Sequence, residues 1–191
     1  MIEGRRSYTR SVQRRLCAVL AAACLSTGCL VVSLQPAYDD QSVTFDEALL
    51  GQWENAEDGA RATIERGEWR SYKITYVERT STRVFQGNLT RIGASQFLDL
   101  TEMRGADPGP FLVPVHGLAR IAVKDDALDV ALADYDWFMR AITRKTLGRL
   151  STAVDDRRNA VLTSTTVDLR RWLAQAPVGA FSAPATFTRK P

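Results

Sequence analysis

From Gln52 onward the chain is written with a period of two. In Tyr72-Lys73-Ile74-Thr75-Tyr76-Val77, residues Tyr72, Ile74 and Tyr76 share one face while Lys73 and Thr75 share the other. Successive side chains of a strand point to opposite sides of a sheet, so this pattern buries one face and wets the other, as an antiparallel strand does. Gln52-Trp53-Glu54, Arg61 to Glu65, Phe85 with Gly87 and Leu89, Phe97 to Leu100, Val115 to Val123 and Leu128 to Leu132 read the same way. Glu57-Asp58-Gly59, Arg66-Gly67, Gly93-Ala94-Ser95 and Lys124-Asp125-Asp126 supply turn residues between them. The short spacings predict an antiparallel β-meander.

Toward the C-terminal end the period becomes helical. Asp134 or Asp136 can cap a segment in which Trp137, Phe138, Ala141 and Ile142 form one stripe and Arg140, Arg144 and Lys145 another, with Gly148 as the stop. Leu150 to Val154 and Ala160 to Thr163 can pair around the charged turn 155–159. Thr165 is spaced from Asp168 as a cap for a second helix carrying Leu169, Trp172, Leu173 and Ala176. Ala185 to Lys190 is placed to close the sheet. At the front, Thr44-Phe45-Asp46-Glu47 has capping-box spacing ahead of Ala48-Leu49-Leu50, and Gly51 ends that short helix. Residues 102–112, centred on Gly105-Ala106-Asp107-Pro108-Gly109-Pro110, form the one long irregular stretch. The fold class expected is β-rich α+β, with two helices near the C-terminal end.

The first 28 residues have a different character. Five arginines against Glu3 alone lead into the apolar run Leu16 to Leu25, which is too short to span a bilayer, and then into Ser26-Thr27-Gly28-Cys29. This resembles the signal peptide and lipobox of bacterial lipoproteins, although Ser26 stands where that family prefers leucine. Cys24, after three alanines, is a second candidate, and ordinary secretory cleavage nearby is the other reading.

The resemblance implies a signal peptide at 1–28, lipidation of Cys29, a lipidated tether at 29–43 and a single globular domain at 44–191. It implies export and a membrane partner reached through the lipid anchor. In a cell with two membranes it implies the outer one, because Leu30 rather than Asp follows the cysteine. Removing residues 1–28 takes away five basic residues and one acid, so a net charge of +3 becomes slightly negative. The basic character belongs to the leader, and nucleic acid is not expected as a partner. All three cysteines lie at or before Cys29, leaving no disulfide and no thiolate metal site beyond it.

A short capped helix running into Gly51-Gln52-Trp53 at the first strand of a meander resembles the opening of lipocalin-type barrels. The resemblance implies that Trp53 plugs the closed end of a barrel, with Gly51 beside it, and that a basic residue of the last strand, here Arg189, lies over the indole. Two helices before the last strand depart from the family's usual one. The alternative is a buried tryptophan that begins an ordinary sheet.

No catalytic motif accompanies this pattern. His116 is the single histidine, which excludes a His-rich metal site and makes it the residue through which any Ser-His-Asp chemistry would run. Its neighbours Pro114 and Gly117 suit a structural histidine at a strand start. The pairs Asp39/Asp40, Asp125/Asp126 and Asp155/Asp156 read as solvated turns. Arg140, Arg144, Lys145 and Arg149 read as a solvated helix face, with anionic headgroups as the alternative. No cofactor and no metal are expected. Two functions remain open: a binding module for a small apolar ligand or envelope component, lined by Tyr72, Ile74, Tyr76, Phe85 and Leu89, or a structural or assembly factor that binds a protein of the envelope.

Overall fold

The computed structural model of the chain describes residues 30–103 and 113–191. Its strands are β1 (Val31–Ser33), β2 (Val43–Thr44), β3 (Gly51–Asn55), β4 (Arg61–Arg66), β5 (Ser71–Glu78), β6 (Ser81–Ile92), β7 (Ser95–Glu102), β8 (His116–Lys124), β9 (Ala127–Leu132), β10 (Thr152–Val154), β11 (Ala160–Leu162) and β12 (Ala185–Lys190). Two helices, α1 (Tyr135–Arg144) and α2 (Thr166–Leu173), lie between β9 and β12.

Strands β3 to β9 pair in sequence order, each antiparallel to the next, and β12 pairs with both β9 and β3. The result is a closed eight-strand barrel, which leaves its strands no free edges. Partners step along the strands on the way round. Gly51 faces Ile64, Ile64 faces Ile74, Ile74 faces Phe85, and Phe85 faces Glu102 at the far end of β7. The strands are therefore strongly tilted, as closure of so narrow a sheet requires.

Two apolar cores result. Inside the barrel pack Leu49, Trp53, Ala62, Ile64, Tyr72, Ile74, Leu89, Leu98, Ile121, Leu128 and Phe187. On the outer face of β7, β8 and β9, the alternate residues Phe97, Leu118 and Ala131 meet Phe138 and Ala141 of α1 and Leu169 and Leu173 of α2. Asp134 caps α1, accepting the Trp137 N–H at 2.6 Å, and Thr165 caps α2, accepting the Asp168 N–H at 3.2 Å. Helix α1 ends at Arg144, earlier than Gly148, because Lys145 takes the left-handed conformation at φ 56° and its N–H reaches back to Ala141 and Ile142. Gly148 turns the chain after the helix, at φ 64°.

The stretch 29–43, read from sequence as a tether, is in its described part built into the fold. Strand β1 pairs parallel to β11 and antiparallel to the first residues of β8, and Ala37 is fully buried. The reason is non-local. Strand β8 pairs with β9 only from Ala119 onward, so His116 and Gly117 have room for another partner on that side. Likewise β6 pairs with β5 through Asn88, and β2 takes up Leu89 and Thr90. Arg170 of α2 then ties the connection down, donating to the Ala37 carbonyl at 2.7 Å and the Thr90 hydroxyl at 3.0 Å.

Thr44 belongs to β2 and does not cap a helix. Asp46 instead accepts the Ala48 N–H at 2.9 Å, at the start of a 3-10 turn, Glu47–Leu49. The cap therefore moves two residues toward the turn it serves.

The β10–β11 turn is held by Asp155, whose carboxylate accepts the Asn159 N–H at 2.7 Å and its Nδ2 at 2.8 Å. These bonds hold the Asp155 pKa below its ordinary value of 3.8. A lowered folded-state pKa means that the contact supports the turn above that value and is lost as pH falls through the folded pKa. The Asn159 amide followed by NMR should titrate with a midpoint below 3.8. A midpoint at or above it would show that the bonds do not form in solution.

Candidate functional site

The barrel interior changes character along its axis. At one end the 3-10 turn lies against the opening. Gly51 adopts φ +129°, a conformation that favours glycine, and a Cβ there would stand 2.8 Å from the Arg189 guanidinium. Trp53 is 1 % exposed and donates from its indole to the Leu49 carbonyl at 2.9 Å. The Arg189 guanidinium lies 4.3 Å over the centre of that indole, donates to the Leu50 and Ala48 carbonyls at 2.6 and 2.7 Å, and reaches Asp126 at 3.3 Å. A cation over an aromatic face, with its other donors holding the turn that covers the opening, makes this the closed end.

The five residues expected to line a ligand cavity lie at different levels. Tyr72 belongs to the closed end: its hydroxyl donates to the Asp46 carbonyl and accepts the Asp46 N–H at 2.7 Å. Phe45 stacks on its ring at 4.7 Å, and burial raises its pKa. Leu89 is buried nearby, opposite Leu98. Ile74 is buried one level up, where a Cβ on inward-facing Gly87 would meet its Cδ1 at 2.8 Å and that of Leu98 at 3.2 Å. The barrel is thus filled by side chains from the closed end to the level of Ile74.

Beyond that level the packing loosens. Tyr76, Phe85 and Leu100 are half-buried, although the alternation of β5, β6 and β7 turns each of them inward. Phe85 faces Ile74, with Tyr76 diagonally above it on the neighbouring strand. Partial burial, with the Glu78 and Asp58 carboxylates near, raises the Tyr76 pKa. Tyr76 and Phe85 therefore lie half-buried above the level of Ile74, whereas Tyr72, Ile74 and Leu89 belong to the packed core below them.

His116 occupies a second polar site, on the outer face of the barrel. Its Nδ1 lies 2.6 Å from Asp99 Oδ1, and Asp99 Oδ2 accepts the Ala37 N–H at 2.7 Å. Asp99 is 1 % exposed and His116 8 %. Thr101 stands 3.4 Å from the same ring nitrogen, and the Tyr38 ring meets the imidazole edge-on at 6.5 Å. Ser33 is the cross-strand partner of His116, but its hydroxyl donates to the Gln35 carbonyl at 2.7 Å and is fully buried. Three residue types of a hydrolase triad therefore lie on adjacent strands, with the serine engaged elsewhere. The pair works as a clamp on the segment between β1 and β2. Asp99 escaped sequence reasoning because it falls on the outward face of β7, where a carboxylate looks solvated until another segment covers it.

A third feature lies on α1, where Trp137, Arg140, Ala141, Arg144 and Thr146 line a hollow of about 130 Å³. Among the described residues no three histidine, cysteine or acidic side chains converge on a possible metal position, and no helix is long and apolar enough to cross a membrane. Cys29 lies outside the described residues; Leu30, which follows it, has its N–H bonded to Asn159 Oδ1 at 3.1 Å. Comparison of the chain with protein families, with characterised proteins and with solved structures finds no match.

Proposed function

We propose that this chain is an exported lipoprotein, anchored through Cys29, whose lipocalin-like barrel binds a small apolar ligand in the recess above Ile74. The observation that carries the reading is the gradient inside the barrel: one end is plugged by Trp53 and Arg189, while inward-facing Tyr76, Phe85 and Leu100 remain half-buried toward the other. Inward apolar side chains left partly wet gain by being covered, at roughly 25 cal/mol per Å². Packing up to the level of Ile74 suits a flat or short ligand lying on it rather than a long chain threaded through the barrel.

The dye 8-anilinonaphthalene-1-sulfonate serves as a first apolar probe. It should bind the folded chain, and Tyr76→Ala combined with Phe85→Ala should weaken that binding by about tenfold or more, each lost contact being worth on the order of 1 kcal/mol. Dye binding that is unchanged in the double variant would place the apolar surface elsewhere. Native mass spectrometry against lipid extracts then identifies the natural occupant. Anchoring is tested separately, since Cys29→Ser should make the chain extractable from the membrane fraction by high salt, whereas the lipidated chain stays.

A second reading, an assembly factor that docks an envelope protein, is favoured by Met103, Val113, Val115 and Leu132, which stand 44 to 71 % exposed around the end of β7, the approach to β8 and the end of β9. Crosslinking in intact cells distinguishes it, because a stable protein partner would be recovered through these positions.

A further inference from the structure

We propose that the hollow on α1 is a binding site for the phosphate of anionic lipid headgroups, so that the domain rests on its membrane by this face. The inference rests on the membrane-anchored reading above.

The site begins with helical geometry. Arg140 and Arg144 are four residues apart, so both project from one side of α1, with Trp137 one turn before Arg140. Trp137 is fixed from behind by Phe138 at 5.1 Å and by Trp172 at 6.1 Å between ring centres, which gives the hollow a rigid aromatic wall. Arg140, Arg144 and Thr146 line it together with Trp137 and Ala141, and its volume of about 130 Å³ admits one tetrahedral anion.

Charge points the same way. Arg140, Arg144, Lys145 and Arg149 are all exposed, and among the described residues none of them forms an ion pair. The one acidic side chain of α1, Asp136, lies in the first turn. The helix dipole accounts for cations at the C-terminal end of α1. It does not account for a second arginine one turn earlier across an aromatic hollow. Guanidinium donors match phosphate oxygens in a fixed planar fork, and an indole with a polar edge suits the boundary between headgroup and hydrocarbon.

The lipid surface is singled out from other sources of phosphate by the course of the chain. The Tyr135 hydroxyl, at the start of α1, donates to the Arg158 carbonyl at 2.8 Å. The adjacent Asn159 accepts the Leu30 N–H, and the Ala160 N–H donates to the Leu30 carbonyl at 2.8 Å. Leu30, the residue next to the anchor position, enters β1 directly and lies beside the β10–β11 turn, which the first residue of α1 touches. With no free linker after Leu30, an anchor before it limits which faces can meet the bilayer, and the start of α1 is close to that point.

The test uses the chain from Leu30 onward, which contains every strand and helix described and carries no acyl group. It should cosediment with vesicles of 30 mol % phosphatidylglycerol in phosphatidylcholine, and more weakly with phosphatidylcholine alone. Arg140→Gln with Arg144→Gln should lower partitioning onto the anionic vesicles by about thirtyfold at low salt, from on the order of 1 kcal/mol per basic residue near such a surface. Arg61→Gln with Arg83→Gln, on the far strands β4 and β6, should leave it within about twofold, well below the roughly 1 kcal/mol of a surface-facing cation. Thermal melts of both pairs confirm folding, since all four side chains are exposed.

Equal partitioning onto both kinds of vesicle would overturn the proposal. So would an α1 double variant that binds like the native chain, or a native chain that takes up inorganic phosphate in the hollow yet ignores the vesicles. Because this chain lacks Cys29, its failure would leave lipidation untouched. Lipidation is read independently from the mass of the product made in cells.

Discussion

Asp99→Ala should destabilise the fold by about 2–4 kcal/mol, because two buried groups lose their hydrogen-bond acceptor at roughly 1–3 kcal/mol each. The carboxylate joins three parts of the chain that are far apart in sequence. It sits on β7, its Oδ1 meets His116 on β8, and its Oδ2 takes the Ala37 N–H between β1 and β2. Alanine leaves that buried N–H and the imidazole without their acceptor, and unsatisfied buried groups cost more than the bond itself contributed. Asn keeps the shape and one acceptor, so Asp99→Asn should lose less. Urea unfolding measures the total, and hydrogen exchange at the Ala37 amide reports where it is lost. If Asp99→Ala unfolds within about 0.5 kcal/mol of the native chain, the range of ordinary surface substitutions, the clamp is not structural and His116 returns to consideration as a functional residue.

Trp53→Ala should cost a comparable amount, about 3–5 kcal/mol, for a different reason. Trp53 fills the closed end at 1 % exposure, and its removal leaves a cavity that tilted, mutually paired strands cannot collapse to fill. It also frees the Leu49 carbonyl and takes away the surface on which Arg189 lies. Arg189→Ala alone should cost less, because its bonds to Ala48 and Leu50 are to partly wet carbonyls. The double variant should then be less damaged than the sum of the two by about 1 kcal/mol, the coupling expected of a cation over an indole. Strict additivity in denaturant melts would show that the stacking contributes nothing.

The two substitutions probe opposite kinds of legibility. Trp53 and Arg189 belong to a pattern readable in the chain itself: a glycine two residues before a tryptophan at the first strand, and a basic residue in the last strand. Asp99 and His116 also lie only 17 residues apart, yet nothing local marks them as partners, because what buries them is a third segment that reads as a linker. The ligand-lining set shows the same division. Alternation correctly turns Tyr72, Ile74, Tyr76, Phe85 and Leu89 to one side of the sheet. Their height along the barrel depends on strand tilt and on where the 3-10 turn lies, and that height separates the buried Tyr72, Ile74 and Leu89 from the half-buried Tyr76 and Phe85.

The Cys29 with which the chain would be tied to a membrane lies outside the described residues, so the anchor still rests on its sequence context. The structure changes what the anchor would do, because the stretch after it is strand and buried turn rather than slack chain. By itself, the sequence determined the meander strands from β3 onward, the turns between them, the cap at Thr165, a cap for α1 at Asp134 or Asp136, and the inward set of the alternating strands. These depend on alternation and on hydrogen bonds within a few residues. Tertiary structure alone decided that β2 pairs with β6, that β1 lies parallel to β11, that Asp99 is buried, and where along the barrel the packing loosens. Those outcomes depend on which backbone groups remain unpaired once the barrel has closed, a competition among distant segments that no local pattern encodes.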